Sequence, residues 1–410
     1  MSLREHANQI IQASLHSALP DQAVKEALKS ADFGDGKLIL VAAGKAAWQM
    51  AKAAHQELGS RIDGGVVVTK YDHSMGEIPG LAIYEAGHPV PDENSYFATQ
   101  KAIEAVENLT EKDTVLFLLS GGGSALFENP LIPPEDLDRL TKELLASGAD
   151  IVEMNTVRKR FSKVKGGRFA QICYPAKVFT IVLSDVLGDK LDMIASGPAY
   201  PDSTTEEDAK AIFRKYNLTM TETMKSLLDV ETPKALSNVE THITGSVRQL
   251  CHQAELTARS LGYEPLVLTD QLTCTARDAG VFFAGIAKYY ANTKKPLAFI
   301  AGGETVVHLT GHGKGGRNQE LALAAAEGIS GMNACVFSVG SDGTDGPTDA
   351  AGGIVDGTTY TVLKKQGINI SDVLMDNDAY HALGKCDGLI MTGPTGTNVN
   401  DLSVLLIGQP

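Results

Sequence analysis

Three glycine-rich loops, each with a charged or hydroxyl side chain at its turn, stand far apart in this chain: SGGGS at 120–124, GKGGRNQE at 313–320 and GSDGTDGPTD at 340–349. Glycine lets backbone N–H groups crowd around an anion, and a helix that begins just past such a loop adds the positive end of its dipole. Three such loops suggest a polyphosphate held between two lobes. Lys45 follows VAAG at 41–44 and precedes an alanine-rich helical stretch, so its ammonium stands at a strand-to-helix turn shaped by Gly44. A cation is unfavourable for the dipole of a helix starting there, which favours a phosphate-gripping role over a merely solvated one.

The 120–124 loop lacks the GxxxxGK[ST] spacing of a P-loop. Even so, Gly121, Gly122 and Gly123 between Ser120 and Ser124 exceed what a plain turn needs and point to close backbone approach to an anion. Residues 311–316 match GxGxxG, yet Lys314 and Arg317, flanking Gly315 and Gly316, put two cations where a dinucleotide turn leaves room for pyrophosphate among backbone amides. Paired cations suit a phosphoryl group in transfer, and an arginine fork also clamps carboxylates. Dinucleotide binding and a purely structural loop are the alternatives. Asp342, Asp345 and Asp349 lack the closing glutamate of a calcium loop, whereas Mg²⁺ held partly by water and nucleotide needs only one or two carboxylates, with Asp342 and Asp345 as candidates. Turn formation is the competing use.

Asp185 and Asp189, after the apolar run at 178–183, are placed to act as a base or metal ligand, or to cap a helix. Asn155 and Lys165 offer an amide and a cation to a small acidic substrate, although a solvated helix face explains the cation equally well. His88, held in a rigid turn by the two prolines that follow it in GHPVP at 87–91, reads as a structural histidine. Glu304 and Asn398 sit just past expected strands, where either can line a cleft.

Apolar runs of strand length at 38–41, 66–68, 115–119, 178–183, 265–268, 297–300, 306–309, 335–339, 389–391 and 404–407 must position these residues. They alternate with amphipathic stretches such as 3–16, 21–28, 46–58, 134–145 and 244–261, the pattern of βα units with a mostly parallel sheet. Many runs end in glycine, so the loops fall at carboxyl ends of strands, where open α/β sheets bind ligands. The chain has 410 residues, enough for two domains, and the pattern lapses near 230–240. Expected domains are 1–235 and 236–410, with the first helices free to pack on either. A formal net charge of -14 argues against electrostatic capture of nucleic acid or an anionic membrane. No apolar run approaches the roughly 18 residues of a spanning helix, and no secretory leader pattern opens the chain, so a cytoplasmic enzyme is expected. The five cysteines show no CxxC pairing and read as ordinary thiols.

Together the motifs resemble the D-glycerate 2-kinase family, whose second domain is known as MOFRL: AGKAA at 43–47, GHPVPDE at 87–93, SGGGSAL at 120–126, SDVLGD at 184–189, ASGP at 195–198, GGET at 302–305, GKGGRNQE at 313–320, GSDGTDGPTDAAG at 340–352 and GPTGTNVNDL at 393–402. Nine motifs in order make the match specific and nearly chain-long. The resemblance implies two α/β domains with Rossmann-like, mostly parallel or mixed sheets and an active site in the interdomain cleft. It also implies phosphorylation of the 2-hydroxyl of D-glycerate by ATP with Mg²⁺, with Lys45 and Arg317 catalytic. Oligomeric state, with a homodimer as one option, stays open. Members have often been labelled hydroxypyruvate reductase, so an NAD(P)H-dependent reductase is the alternative.

Overall fold

The run LILVAA forms β1 (Leu38–Ala43) and TVLFLL forms β4 (Thr114–Leu119), and neither alternates with polar residues because both faces of these central parallel strands are covered. Leu40, Ala42, Leu116 and Leu118 pack with Met50, Ala51 and Ala54 of the Ala47–Leu58 helix. Val41, Ala43, Phe117 and Leu119 face the opposite layer, with Ala98, Ala102 and Val106 of the Glu93–Val106 helix. In this computed structural model, which describes residues 2–184 and 191–409, the chain divides into two compact units, Ala23–Thr244 and Met1–Gln22 with Gly245–Pro410.

The sheet of the Ala23–Thr244 unit also contains β2 (Gly64–Lys70), β3 (Leu81–Ala86), β5 (Lys177–Leu183) and β6 (Val239–Gly245), in the order β3-β2-β1-β4-β5-β6. β1 pairs in parallel with both β2 and β4, so the winding reverses between β1 and β4. In such sheets a crevice opens beyond the carboxyl ends of the two strands at the reversal.

The other unit holds β7 (Glu264–Leu272), β8 (Leu297–Gly303), β9 (Ala334–Gly340), β10 (Gly352–Asp356), β11 (Leu389–Ile390) and β12 (Asp401–Ile407), ordered β11-β10-β9-β12-β8-β7. β12 runs antiparallel between β8 and β9, which makes this sheet mixed. The helix Arg317–Ala326 lies inside the core on one face. On the other, Ala7, Ile10, Ile11 and Leu15 of the Leu3–Ser17 helix pack with Cys251, Ala254 and Ala258, so the first helix joins the later part of the chain.

Several expectations change. No strand forms at 306–309: Val306 makes only an isolated bridge to Thr275, and Leu309 is 83% exposed. β3, β6 and β10 have no counterpart among the expected runs. β6 is half polar, and β10 opens with two glycines, poor strand formers; a Cβ on Gly352 would lie 2.0 Å from the Ser338 carbonyl oxygen. The segment 236–244, expected in the second domain, contains most of β6 and stays with the first sheet. The helix expected at 244–261 runs Val247–Ser260 behind the capping hydroxyl of Ser246.

Candidate active site

The turns leaving β1 and β4 are stitched together at the reversal point. The Lys45 amide donates to the Gly121 carbonyl at 2.9 Å, and Ser120 Oγ accepts the Ala46 amide at 3.0 Å. Gly44 has φ of 127°, and a Cβ there would stand 2.2 Å from Ser120 Oγ, so only glycine permits this approach. Thr69 Oγ1 and His73 Nδ1 contact the Lys45 carbonyl at 3.3 and 3.1 Å. Lys45 is therefore fixed by its backbone, while its ammonium has no carboxylate partner among the described residues.

The glycines of the 120–124 loop answer first to protein neighbours. At Gly122, with φ of 86°, a Cβ would meet His88 Cδ2 at 3.0 Å and Lys45 Cγ at 3.2 Å; at Gly123 it would meet Ala195 Cβ at 2.6 Å. Burial lowers the pKa of His88, and the charges of Lys45, Lys70 and His73 lower it further, so its ring is neutral near pH 7. Ser124 Oγ lies 2.9 Å from Ser196 Oγ, which donates to Asn155 Oδ1 at 2.9 Å. Ala195 and Ser196 both take left-handed backbone angles, φ 51° and 61°, an unusual conformation for side-chain-bearing residues that concentrates at functional sites. Asn155 is thus a buried support beneath the loop.

Lys165 is not presented to a substrate. It is fully buried 2.7 Å from Glu128 Oε2, and burial lowers its pKa to about 8 against the opposing pull of Glu128. Its expected role is corrected to an internal tie, because no ligand can reach an enclosed ammonium. Asp185 and Asp189 lie outside the described residues.

At the carboxyl ends of β8 and β9, Arg317 begins its helix and is held bidentately by Asp401, Nε to Oδ2 at 2.6 Å and Nη2 to Oδ1 at 3.0 Å, while Nη1 reaches Glu304 at 3.0 Å. Burial opposes the charge, but the Asp401 hydrogen bonds and the charges of Asp401, Glu304 and Asp345 outweigh it and hold the pKa above the ordinary arginine value. Among the described residues three of its five N–H donors are used, leaving two on an oriented fork.

The 310–316 loop is not an anion cradle. Thr310 and Gly311 donate their amides to Asn377 Oδ1, His312 to Asp376 Oδ1, Gly313 to the Asp376 carbonyl and Lys314 to Asp378 Oδ1. Five consecutive amides are consumed by an acidic segment that would repel phosphate. Gly313 and Gly316 are required by proximity to Asp378 and Asp345, where a Cβ would fall within 2.4 Å. Gly315 packs 3.1 Å from the Asn377 carbonyl by the same measure, and the Lys314 ammonium rests 4.3 Å from the Tyr380 ring centre. Packing thus accounts for Gly315 and Gly316 and gives Lys314 a ring to rest on, so their expected phosphate-binding role has a structural rival at each position.

Asp345 is likewise committed. Its carboxylate accepts the amides of Asn318 at 3.2 Å and Gln319 at 2.9 Å, capping the Arg317–Ala326 helix from a distant loop. Burial raises its pKa to about 6 against those amides. Asp342 Oδ1 closes a turn onto the Thr344 amide at 3.0 Å. Asn398 is half-buried in the 392–400 loop, whose Thr395 amide donates to the Asp342 carbonyl at 3.2 Å. Among the described residues no group of three histidine, cysteine or acidic side chains is placed to hold a metal. Half-buried Asp342 fits only the one-carboxylate role of a nucleotide-borne Mg²⁺.

Sequence reasoning missed Asp401, Ser196, His73 and Asn377. The pairing of Arg317 with Asp401, 84 residues on, has no local signal. Asn377, in an unremarkable MDND stretch, has φ of 56°, which only the backbone reveals.

A backbone-fixed lysine at the switch point of a parallel sheet, in one of two α/β units, is the arrangement of an enzyme of Rossmann-like build. Comparisons narrow the class. Residues 297–401 match the MOFRL family, and residues 6–229 match a domain of unknown function (DUF4147). The chain is 55% identical to a D-glycerate 2-kinase of Thermotoga maritima, covering 99% of both, and 40% identical to a glycerate 2-kinase of Pyrococcus horikoshii, covering 99% of this chain and 98% of that one. A crystal structure of glycerate kinase from Thermotoga maritima superposes with a TM-score of 0.94 at 54% identity over 99% of each chain. The chain belongs to the glycerate 2-kinase family.

Proposed function

We propose that the protein is an ATP-dependent glycerate 2-kinase that phosphorylates the 2-hydroxyl of D-glycerate, giving 2-phospho-D-glycerate and ADP. The substrate and reaction rest on the family and on the names of its 55%-identical relative. The observation that carries the site is the Lys45 ammonium, without a carboxylate partner among the described residues, at the reversal between β1 and β4 beside the 120–124 loop.

In this reading the glycerate 2-oxygen attacks the γ-phosphorus while the bond to the β–γ bridging oxygen breaks, and the hydroxyl proton passes to a base. Charge spread over the outer oxygens needs fixed cations more than covalent help. Lys45 is the cation for the phosphoryl oxygens, held so that little reorganisation accompanies the reaction. Arg317 offers the two N–H groups left by Asp401 and Glu304, a geometry suited to a carboxylate or phosphoryl edge. Asp185 and Asp189 are the proposed proton acceptors. Mg²⁺, when bound with ATP, supplies Lewis-acid neutralisation of the phosphates, and Asp342 is its proposed protein ligand.

The reductase alternative loses much of its sequence footing, since the GxGxxG at 311–316 follows no strand and its first four amides are occupied. The test is a coupled assay with D-glycerate, ATP and Mg²⁺ beside NAD(P)H oxidation with hydroxypyruvate, followed by product analysis. Formation of 2-phosphoglycerate is expected; turnover only in the second assay would reject the kinase.

A further inference from the structure

The helix Ile151–Arg160 ends on three consecutive cations, Arg158, Lys159 and Arg160. Two of them are enclosed and matched by acids: the Lys159 ammonium lies 3.0 Å from Asp202 Oδ1 and 3.5 Å from Asp192 Oδ2, and Arg160 pairs with Glu231 and Asp202. Half-buried Arg158 pairs with no carboxylate among the described residues. There, one of its five N–H donors is used, from Nη2 to the Ser124 carbonyl at 3.1 Å. Nε is enclosed without an acceptor, whereas Nη1, also unbonded, is not enclosed.

An ordinary reason for a cation at this point is the negative end of the helix dipole. That post is filled by Arg168, whose Nη1 donates to the carbonyls of Lys159 at 2.7 Å, Arg160 at 3.3 Å and Ser162 at 2.7 Å. Tying the helix to the loop is a second ordinary role, but one neutral acceptor does not offset the desolvation of a guanidinium. The enclosed cations nearby, Lys159, Arg160 and Lys165, all have carboxylates. Arg158 does not, and its charge adds to the burial that lowers the Lys165 pKa. An unmatched charge beside a binding loop calls for one that arrives with a ligand.

The surroundings say which kind. Asn155, three residues earlier on the same helix face, accepts Ser196 Oγ at 2.9 Å, and that hydroxyl lies 2.9 Å from Ser124 Oγ. The groups gathered at Ser124 are thus hydroxyls, an amide and one guanidinium, a set suited to a small hydroxy acid. At the other end of the same loop the Lys45 amide is bonded to Gly121, and Lys45 Cγ stands 3.2 Å from where a Cβ on Gly122 would lie. The loop therefore has a cation at each end.

We propose that Arg158 is the carboxylate clamp for the acceptor, its planar fork holding the acid group of a 2-hydroxy acid at the end of the 120–124 loop opposite Lys45. This rests on the kinase reading above and adds to it the residue that recognises the substrate's charge. The carboxylate carbon is bonded directly to the carbon that bears the 2-oxygen, so anchoring the acid constrains that oxygen more tightly than the 3-oxygen. Preference for the 2-hydroxyl follows from the anchor. The cation that the sequence pattern suggested at Lys165 is supplied instead by the preceding helix.

The test compares steady-state kinetics of the wild type, Arg158→Gln and Arg158→Lys with D-glycerate and with D-glyceramide, its neutral isostere. Arg158→Gln should raise the KM for D-glycerate by about 100-fold, as expected for removing one partner of a charge-assisted pair, while the KM for ATP changes by less than about twofold. A loop merely loosened by loss of the Ser124 bond would raise both. The wild type should favour the acid over the amide by about 100-fold in kcat/KM, and Arg158→Gln should bring that ratio to within about threefold of unity. Arg158→Lys, which keeps the charge without the fork, should fall between the two. An unchanged KM for glycerate, a rise shared equally with ATP, or a preference for the acid preserved in Arg158→Gln would overturn the proposal. A wild type with no glycerate turnover would overturn the kinase reading itself, and the clamp with it.

Discussion

The glycine loops at 120–124 and 310–316 look alike as strings of letters and differ in what their backbones are free to do. The first lies beyond β4 at the reversal of a parallel sheet, beside an ammonium with no described partner. The second is laid along 376–378, with its amides spent on Asp376, Asn377 and Asp378. Glycine permits close approach in both. What approaches is a set of site residues in one and an acidic chain segment in the other, so a glycine pattern signals proximity rather than a ligand.

The largest effect that would break this contrast is expected at Lys45. Lys45→Ala should lower turnover by about 10³-fold or more, in line with removing a charge-stabilising group from a transition state, with the circular dichroism spectrum unchanged; wild-type turnover would remove Lys45 from the mechanism. Asn377→Ala should unfasten the second loop, since Asn377 also donates to the His308 carbonyl at 3.1 Å and to Glu320 at 3.3 Å. A loss of about 3 kcal/mol in urea unfolding is expected from several stranded partners. Gly122→Ala forces a side chain into φ of 86° against His88 and Lys45, costing about 1–2 kcal/mol and raising the KM for ATP by about tenfold, the same free energy expressed as affinity. Equal ATP affinity in the variant would sever the loop from nucleotide binding.

A titration sharpens the same comparison. Asp345, buried under the helix that carries Arg317, has a pKa moved from 3.8 to about 6. Between those values the native protein binds a proton the unfolded chain has released, so this group's stabilising contribution is full at low pH and is lost as pH rises through about 6. The displacement corresponds to on the order of 2–3 kcal/mol. Asp345→Asn should therefore gain stability relative to wild type as pH rises from 4 to about 6.5, with the difference constant above that; a pH-independent difference in urea midpoints would refute the assignment. The smallest effect belongs to Lys314→Ala, which should change turnover by no more than about twofold, because its charge lies on the Tyr380 ring. A tenfold loss would return the second loop to phosphate binding.

Much of the fold was legible because periodicity reports burial. LILVAA and TVLFLL must be covered on both faces, and β1 and β4 follow. The run at 306–309 failed for the complementary reason, since strand character needs a neighbour with free backbone groups and none is offered there. At the site, Lys45 and the 120–124 loop were readable from local order, whereas Lys165 and Asp345 were misread because composition does not tell an open cation from one facing Glu128, or a metal ligand from a distant helix cap.

By itself the sequence determined the alternation of strands and helices, the family, and the turn that sets Lys45 in place, all of which depend on neighbours a few residues apart. Only the tertiary structure decided which charges are paired, which amides are spent and to which sheet β6 and the first helix belong. Those outcomes depend on contacts between residues tens to hundreds of positions apart, whose energies are fixed by burial and geometry that no local pattern encodes.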